Sequence, residues 1–168
     1  WSRSMRLGWE FIKKDISPDF IFVYNDDSDF YENCISKLLK TYYGKLKSLK
    51  KPSVIVGSLV DPKTMKPTYG GRRRHKIKMF TLASRLLPVK DFVQQAYTLN
   101  FNAALIPTCV IKKIGFVAPY FYHGGADWEY GYRCIKNEIP IFQAAGSVGT
   151  CPHNSVFGTS REPDISLL

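Results

Sequence analysis

Phe20-Ile21-Phe22-Val23-Tyr24, running straight into Asn25-Asp26-Asp27-Ser28-Asp29, decides how the rest of the chain is read. Five consecutive apolar, β-favouring residues with no polar alternation describe a strand covered on both faces, as in a parallel sheet held between helices. The strand ends in a cluster of carboxylates, and in open α/β sheets ligands bind beyond the carboxyl ends of the strands. A second run of the same kind, Val54-Ile55-Val56-Gly57-Ser58-Leu59-Val60, lies downstream. Between the two, Phe30 to Lys50 reads as a helix with Ile35, Leu38, Leu39, Tyr42 and Leu46 on one side, ended by Pro52. Before the first strand, Ser4 to Lys14 carries Met5, Leu7, Trp9, Phe11 and Ile12 at helical spacing, until Ser17-Pro18-Asp19 breaks it.

Beyond the second strand, Asp61 to Pro67 reads as a turn, Thr68 to Gly71 as extended chain, and Arg72 to Arg85 as a basic, mobile stretch. Tyr97 to Ile106 reads as a strand leading into a helix over Thr108 to Ile114, capped by Gly115. Trp128 to Asn137 reads as a further helix and Ile139 to Phe142 as a short strand. From Gly146 onward the chain is rich in Gly, Ser, Pro and Asn and reads as a loop. Strands alternating with helices predict an α/β fold, and with no internal repeat or linker, residues 1–168 are read as one domain.

Composition narrows the classes. The chain is 45% hydrophobic, which excludes a disordered segment, and no apolar run approaches the roughly 20 residues that a membrane-spanning helix needs. Cys34, Cys109, Cys134 and Cys151 are scattered without a Cys-x-x-Cys pair, so a zinc site is not expected; they read as reduced and mostly buried. The net charge of +10 favours an anionic partner and is concentrated in Lys37 to Lys51 and Arg72 to Lys78. A solvated helix face and a flexible loop are equally good readings of those two runs.

Three constellations carry chemistry. Asn25-Asp26-Asp27, after a buried strand, offers oxygen ligands of the kind that bridge Mg2+ or Mn2+ to a substrate diphosphate; taken alone, it is more simply an acidic turn. Asp127 follows Gly124-Gly125 and opens a helix, where a carboxylate could take a proton from a hydroxyl and where the helix dipole is expected to keep it ionised. Glu129 and Arg133, four residues apart, could pair along that helix. The third is Gly149-Thr150-Cys151-Pro152-His153, whose lone His gains interest only beside the other two.

In order, these motifs are Asn25-Asp26-Asp27, Val54-Ile55-Val56-Gly57-Ser58, Tyr69-Gly70-Gly71, Asn100-Phe101-Asn102-Ala103-Ala104-Leu105-Ile106-Pro107, Ile114-Gly115-Phe116, Asp127-x-Glu129-Tyr130-Gly131-x-Arg133 and Gly149-Thr150-Cys151. The ordered set resembles, across nearly the whole chain, the bacterial family 2 inverting glycosyltransferases that build surface polysaccharides. The resemblance implies a GT-A fold, with a mostly parallel sheet flanked by helices. It also implies transfer of a sugar from a nucleotide-diphosphate donor to a hydroxyl acceptor with inversion. Asp27, with Asn25 in place of the first Asp of the family motif, is then expected to hold Mn2+ or Mg2+, with His153 near the position of a late metal ligand. Asp127 matches the catalytic base, although Ala126 stands where many relatives have Glu. Asp26, Gly70 and Gly71 are expected on the donor side, and Asn102, Trp128 and Glu129 on the acceptor side. The family's first βα units are expected before Trp1, so the GT-A domain is expected to be incomplete at its N-terminus, which leaves activity of the chain by itself as an open expectation. The expected partners are a nucleotide-sugar and a saccharide or lipid-linked saccharide, in the cytoplasm or at the inner face of the membrane, and not nucleic acid.

Two other classes fit parts of the sequence. An anionic-surface or nucleic-acid module is motivated by +10 and Arg72-Arg73-Arg74-His75-Lys76. A non-catalytic relative that only binds carbohydrate is motivated by Ala126. Mn2+-dependent binding of a nucleoside diphosphate separates the enzyme from both.

Overall fold

The computed structural model describes residues 2–15, 17–74, 84–121 and 125–152. In chain order the elements are α1 (Ser2–Asp15), β1 (Phe20–Tyr24), β2 (Asp29–Phe30), α2 (Cys34–Leu49), β3 (Val54–Val60), β4 (Pro67–Tyr69) and β5 (Gly71–Arg74). Then come β6 (Ser84–Leu86), β7 (Gln94–Ala96), β8 (Thr98–Leu99), β9 (Ala103–Pro107), α3 (Thr108–Ile114), α4 (Ala126–Lys136) and β10 (Ile141–Thr150).

The main sheet has the order β1-β9-β3-β10-β2, with β4 added on β3 and β7 on β10. It is a mixed sheet between helices. β1, β3 and β10 run the same way, as a parallel reading expects, but β9 is inserted antiparallel between β1 and β3. Among the described pairings only β3–β10 is parallel, so the expectation of a mostly parallel sheet is corrected to a mixed one. A smaller three-stranded sheet, β6-β5-β8, stands beside it.

Side-chain alternation along the strands builds two cores. Val54 and Val56 of β3, Ala104 and Ile106 of β9 and Val23 of β1 face Val110, Ile111, Tyr130 and Cys134 of α3 and α4, with Met5 and Trp9 of α1 packed alongside. Ile55, Leu59, Ala103 and Leu105 face the opposite way, onto Cys34, Leu38 and Tyr42 of α2. β3 and β9 are buried throughout, as their unbroken apolar runs predict. β1 is not: it forms an edge of the sheet, and only Val23 is fully buried. An edge strand has a neighbour on one side only, so its apolar residues are less covered than the run suggests.

Other expectations shift for equally local reasons. α2 begins at Cys34 rather than Phe30, because Asp29–Phe30 pairs with the end of β10. Its inward face is therefore Cys34, Leu38, Thr41 and Tyr42, while Ile35 is 42% exposed. On α1, Leu7 and Phe11 likewise point outward. Arg72–Arg74, expected in a mobile stretch, forms the central strand of the small sheet, and β6 holds residues 84–86. The segment from Gly146 to Thr150, expected as loop, is the second half of the ten-residue β10. Its register against β3 shifts twice, between Gln143 and Ser147 and again before Gly149, so small residues sit where the strand bends. Backbone bonds to both neighbours hold it where side-chain propensity would not. The helix at 108–114 and its Gly115 cap, at φ 78°, are where the sequence puts them. Cys34, Cys134 and Cys151 are buried free thiols and Cys109 is exposed.

Candidate functional site

β1, β3 and β10 deliver their carboxyl ends to one side of the main sheet, at Tyr24, Val60 and Thr150. Asn25–Ser28 leaves β1 at one edge, and β2 resumes at the other. The acidic turn, closed by the Ser28 amide on the Asn25 carbonyl at 3.2 Å, links the two. The two edge strands are brought together by Phe30, whose ring lies 5.2 Å from that of Phe22 and 5.5 Å from that of Tyr24. Asp26 and Asp27 stay exposed on this edge.

At the end of β10, Cys151 donates its amide to the Val60 carbonyl at 3.0 Å and its thiol to Asp27 Oδ1 at 3.5 Å. Burial, then the neighbouring Asp27 charge, pushes the Cys151 thiol up despite the opposing Ser28 hydroxyl, so it remains a protonated donor. Asn102, 5% exposed, turns its amide to the same sulfur at 4.0 Å.

Two residues earlier in the same loop, Asn100 does the corresponding job for Asp127. Its Nδ2 donates to Asp127 Oδ2 at 3.1 Å, and the Trp128 amide donates to Asp127 Oδ1 at 2.9 Å. The three-residue link between β8 and β9 thus bonds to Asp127 at its first residue and to Cys151, the partner of Asp27, at its last. Gly70 and Gly71 lie under this link. The Asn100 amide donates to the Gly70 carbonyl at 3.0 Å, and Gln143 Oε1 accepts from the Gly71 amide at 2.9 Å. Both glycines are buried, and through these bonds they support the link.

α4 reaches Asn100 because Gly131 lets it settle on β8: a Cβ there would stand 2.7 Å from Thr98 Cβ and 2.9 Å from Thr98 Cα. Burial raises the Asp127 pKa above its ordinary value, and the Asn100 and Trp128 bonds and the nearby Arg72 charge only partly offset this. Burial thus acts against the helix start that is expected to hold Asp127 ionised. A carboxylate with an elevated pKa is a better proton acceptor, as general-base work requires.

Glu129 is committed elsewhere. Its two oxygens take Arg133 Nε at 2.6 Å and Nη2 at 2.8 Å, while Arg133 also donates to the Ile114 and Phe116 carbonyls. Ile114 is the last residue of α3, so this arginine covers a helix end and clamps α4 to it. Trp128, beside Asp127, carries the Arg72 guanidinium over its ring at 5.0 Å. Ala126 is 1% exposed, so a Glu in its place would have to force a carboxylate into the core.

No family model and no curated protein matches the chain.

Of the residues singled out in the sequence, Asp27 and Asn102 meet at Cys151, with Asn25 and Asp26 in the same turn as Asp27; Asp127, next to Trp128, is bonded to Asn100 of the same link, whose amide is bonded to Gly70. His153 lies outside the described residues. Asn100 and Cys151 were not singled out as site residues. The alternating Asn100-x-Asn102 was the available signal for the first, and the Gly149-Thr150-Cys151 motif for the second. Among the described residues no three His, Cys, Asp or Glu side chains converge into a metal cage. Mg2+ and Mn2+ at diphosphates are commonly held by one or two carboxylates plus phosphate oxygens. Two exposed carboxylates at a sheet end fit that arrangement and do not fit a self-sufficient protein site. A surface depression of about 640 Å3 bordered by Phe30, Tyr31, Glu32, Asn33, Lys37 and Ser147 contains neither Asp27 nor Asp127.

Proposed function

We propose that this chain carries the metal-side and acceptor-activating parts of an inverting glycosyltransferase that uses a nucleotide-diphosphate sugar. The observation that carries the reading is the β8–β9 link: Asp27 and Asp127, a hundred residues apart in sequence, are both tied to it at one end of the sheet. The ordered motifs supply the family expectation, and the shared link joins the two carboxylates. In this reading Asp127 accepts the proton of an acceptor hydroxyl. The oxygen then bonds to the anomeric carbon as the bond to the diphosphate breaks on the opposite face, which inverts the anomeric configuration. Asn100 holds Asp127 in place. Asn25, Asp26 and Asp27 would hold Mn2+ or Mg2+, which would supply neutralisation of the charge on the departing diphosphate. Asn102 and Cys151 fix the Asp27 side chain.

Among the described residues no helix is long and apolar enough to cross a membrane. Peripheral contact with an anionic membrane face is part of the same reading. It is supported by Arg73 and Arg85, exposed and directly opposite each other on β5 and β6, with no carboxylate partner among the described residues.

Calorimetric titration of the chain with uridine and guanosine diphosphates, with and without Mn2+, tests the assignment. Binding of one nucleotide that needs Mn2+ and disappears in Asp27→Ala, while the melting temperature is kept, is expected. Nucleotide binding equal in Asp27→Ala and wild type overturns the metal role. No binding of either diphosphate to the chain favours a carbohydrate-binding role without transfer.

A further inference from the structure

α1 carries apolar side chains on two faces, and the body of the protein covers one of them. Met5 and Trp9 pack on the core that α3 and α4 share. The Trp9 ring lies 6.1 Å from that of Phe116, and Arg6 Nη1 donates to the Ala118 carbonyl at 3.2 Å. These contacts fix the helix against the segment that follows α3. On the other face Leu7 is 62% and Phe11 64% exposed. Arg3, Leu7, Phe11 and Lys14 are all exposed and follow one another at helical spacing, so they form one line along α1. The line is about 16 Å long, with a cation at each end and the two large apolar side chains between. Ser4 and Gly8 lie beside it, and a Cβ added at Gly8 would meet nothing within 4 Å. With so little side chain around them, Leu7 and Phe11 stand out from the surface.

We infer that the outward face of α1 seats on an anionic bilayer surface, with Leu7 and Phe11 among the acyl chains and Arg3 and Lys14 at the lipid phosphates. The inference rests on the reading of peripheral membrane contact, for which it names the inserting element, and it does not depend on the transferase reading.

Area and charge select lipid over another protein. Leu7 and Phe11 are the only large apolar side chains of α1 on a face otherwise made of small and charged residues. That is little beside the roughly 800 Å2 that each partner gives to a stable protein interface. A bilayer asks for less: an interfacial helix holds by a few apolar side chains together with the attraction of its cations to anionic headgroups. The charge of the face is positive, because the exposed Glu10 is paired with Lys13 at 2.5 Å and Arg3 and Lys14 remain beside it. Long basic side chains next to inserted apolar ones can reach back to the phosphate level. The whole chain, at +10, adds to the attraction. α2 also has a basic outer face, but it covers the opposite core, so it serves as the control.

The test is cosedimentation of the chain with phosphatidylcholine vesicles and with vesicles of phosphatidylcholine and phosphatidylglycerol. Binding is expected to the anionic vesicles and to fall with salt. Leu7→Gln/Phe11→Gln, at unchanged charge, should weaken it at least about tenfold, equivalent to ~1.4 kcal/mol. Both positions point outward, so the melting temperature should be kept. Arg3→Gln/Lys14→Gln should weaken it about fivefold for each cation removed, and Lys40→Gln/Lys47→Gln on α2 less. Phe11→Trp adds a reporter whose fluorescence brominated acyl chains should quench beyond the quenching seen in wild type. Equal binding of Leu7→Gln/Phe11→Gln and wild type overturns the insertion of α1. Where Arg73→Gln/Arg85→Gln then abolishes binding, membrane contact stands without α1. Wild type that ignores anionic vesicles overturns both. A dimer in sedimentation velocity that Leu7→Gln/Phe11→Gln converts to monomer, without vesicle binding, assigns the face to a second copy and overturns the lipid contact.

Discussion

Arg133→Met removes the clamp between α4 and the end of α3, and its cost can be worked from the contacts. Arg133 makes a two-pronged pair with Glu129, at 2.6 and 2.8 Å, and donates to the Ile114 and Phe116 carbonyls at 2.5 Å each. The side chains of Arg133 and Glu129 are only 23% and 19% exposed, so the pair is screened far less than a surface ion pair. Each charge-assisted bond to a carbonyl contributes roughly 1.5–3 kcal/mol, and the stranded Glu129 carboxylate adds a desolvation cost. Access of water to the exposed fraction and the apolar packing of Met offset part of this, leaving about 3 kcal/mol. For a chain of this length that corresponds to a melting temperature roughly 6–12 °C lower. The double variant Arg133→Met/Glu129→Met should recover about half of the loss, since it also removes the stranded charge. Thermal melts of wild type, both single variants and the double variant complete the cycle. An Arg133→Met protein melting within about 2 °C of wild type, or a double variant no better than the single, would refute the clamp. If Glu129 instead serves the acceptor directly, Glu129→Gln should weaken saccharide binding while leaving the melt unchanged.

Two other substitutions probe the site and the core. Because burial raises the folded-state pKa of Asp127 above its ordinary 3.8, the ionised form costs stability; the cost is absent below that value and grows as pH rises through the folded pKa. Asp127→Asn should therefore melt higher than wild type at neutral pH and converge with it near pH 3, while lowering any transferase turnover by roughly 100- to 10,000-fold; parallel melting curves across that range would contradict the buried carboxylate. Tyr130, 0% exposed, has a hydroxyl without a partner among the described residues, so Tyr130→Phe should stabilise by about 1 kcal/mol, and a loss of similar size in denaturant titration would show the hydroxyl to be bonded.

Local chemistry was enough for much of this protein. The apolar runs at 54–60 and 103–107, the Gly115 stop and the helical spacing on α4 each report a preference written within a few residues. They marked the fold class, the positions of Asp27 and Asp127, and three buried cysteines out of four. What required tertiary structure was everything set by a distant partner. Whether Phe20–Tyr24 lies inside the sheet or at its edge depends on β9, eighty residues later. The bent half of β10 is a strand because β3 and β2 supply its hydrogen bonds, not because Gly146-Ser147-Val148-Gly149 favours one. Burial of Asp127, which sets its proton affinity, comes from elements that its own helix does not contain. Likewise Glu129 could pair with Arg133 in any helix, but only the arrival of the α3 end turns that pair into a clamp. Spacing in a sequence states which residues can share a face; it does not state what covers that face, and burial sets the strength of every charge and hydrogen bond there.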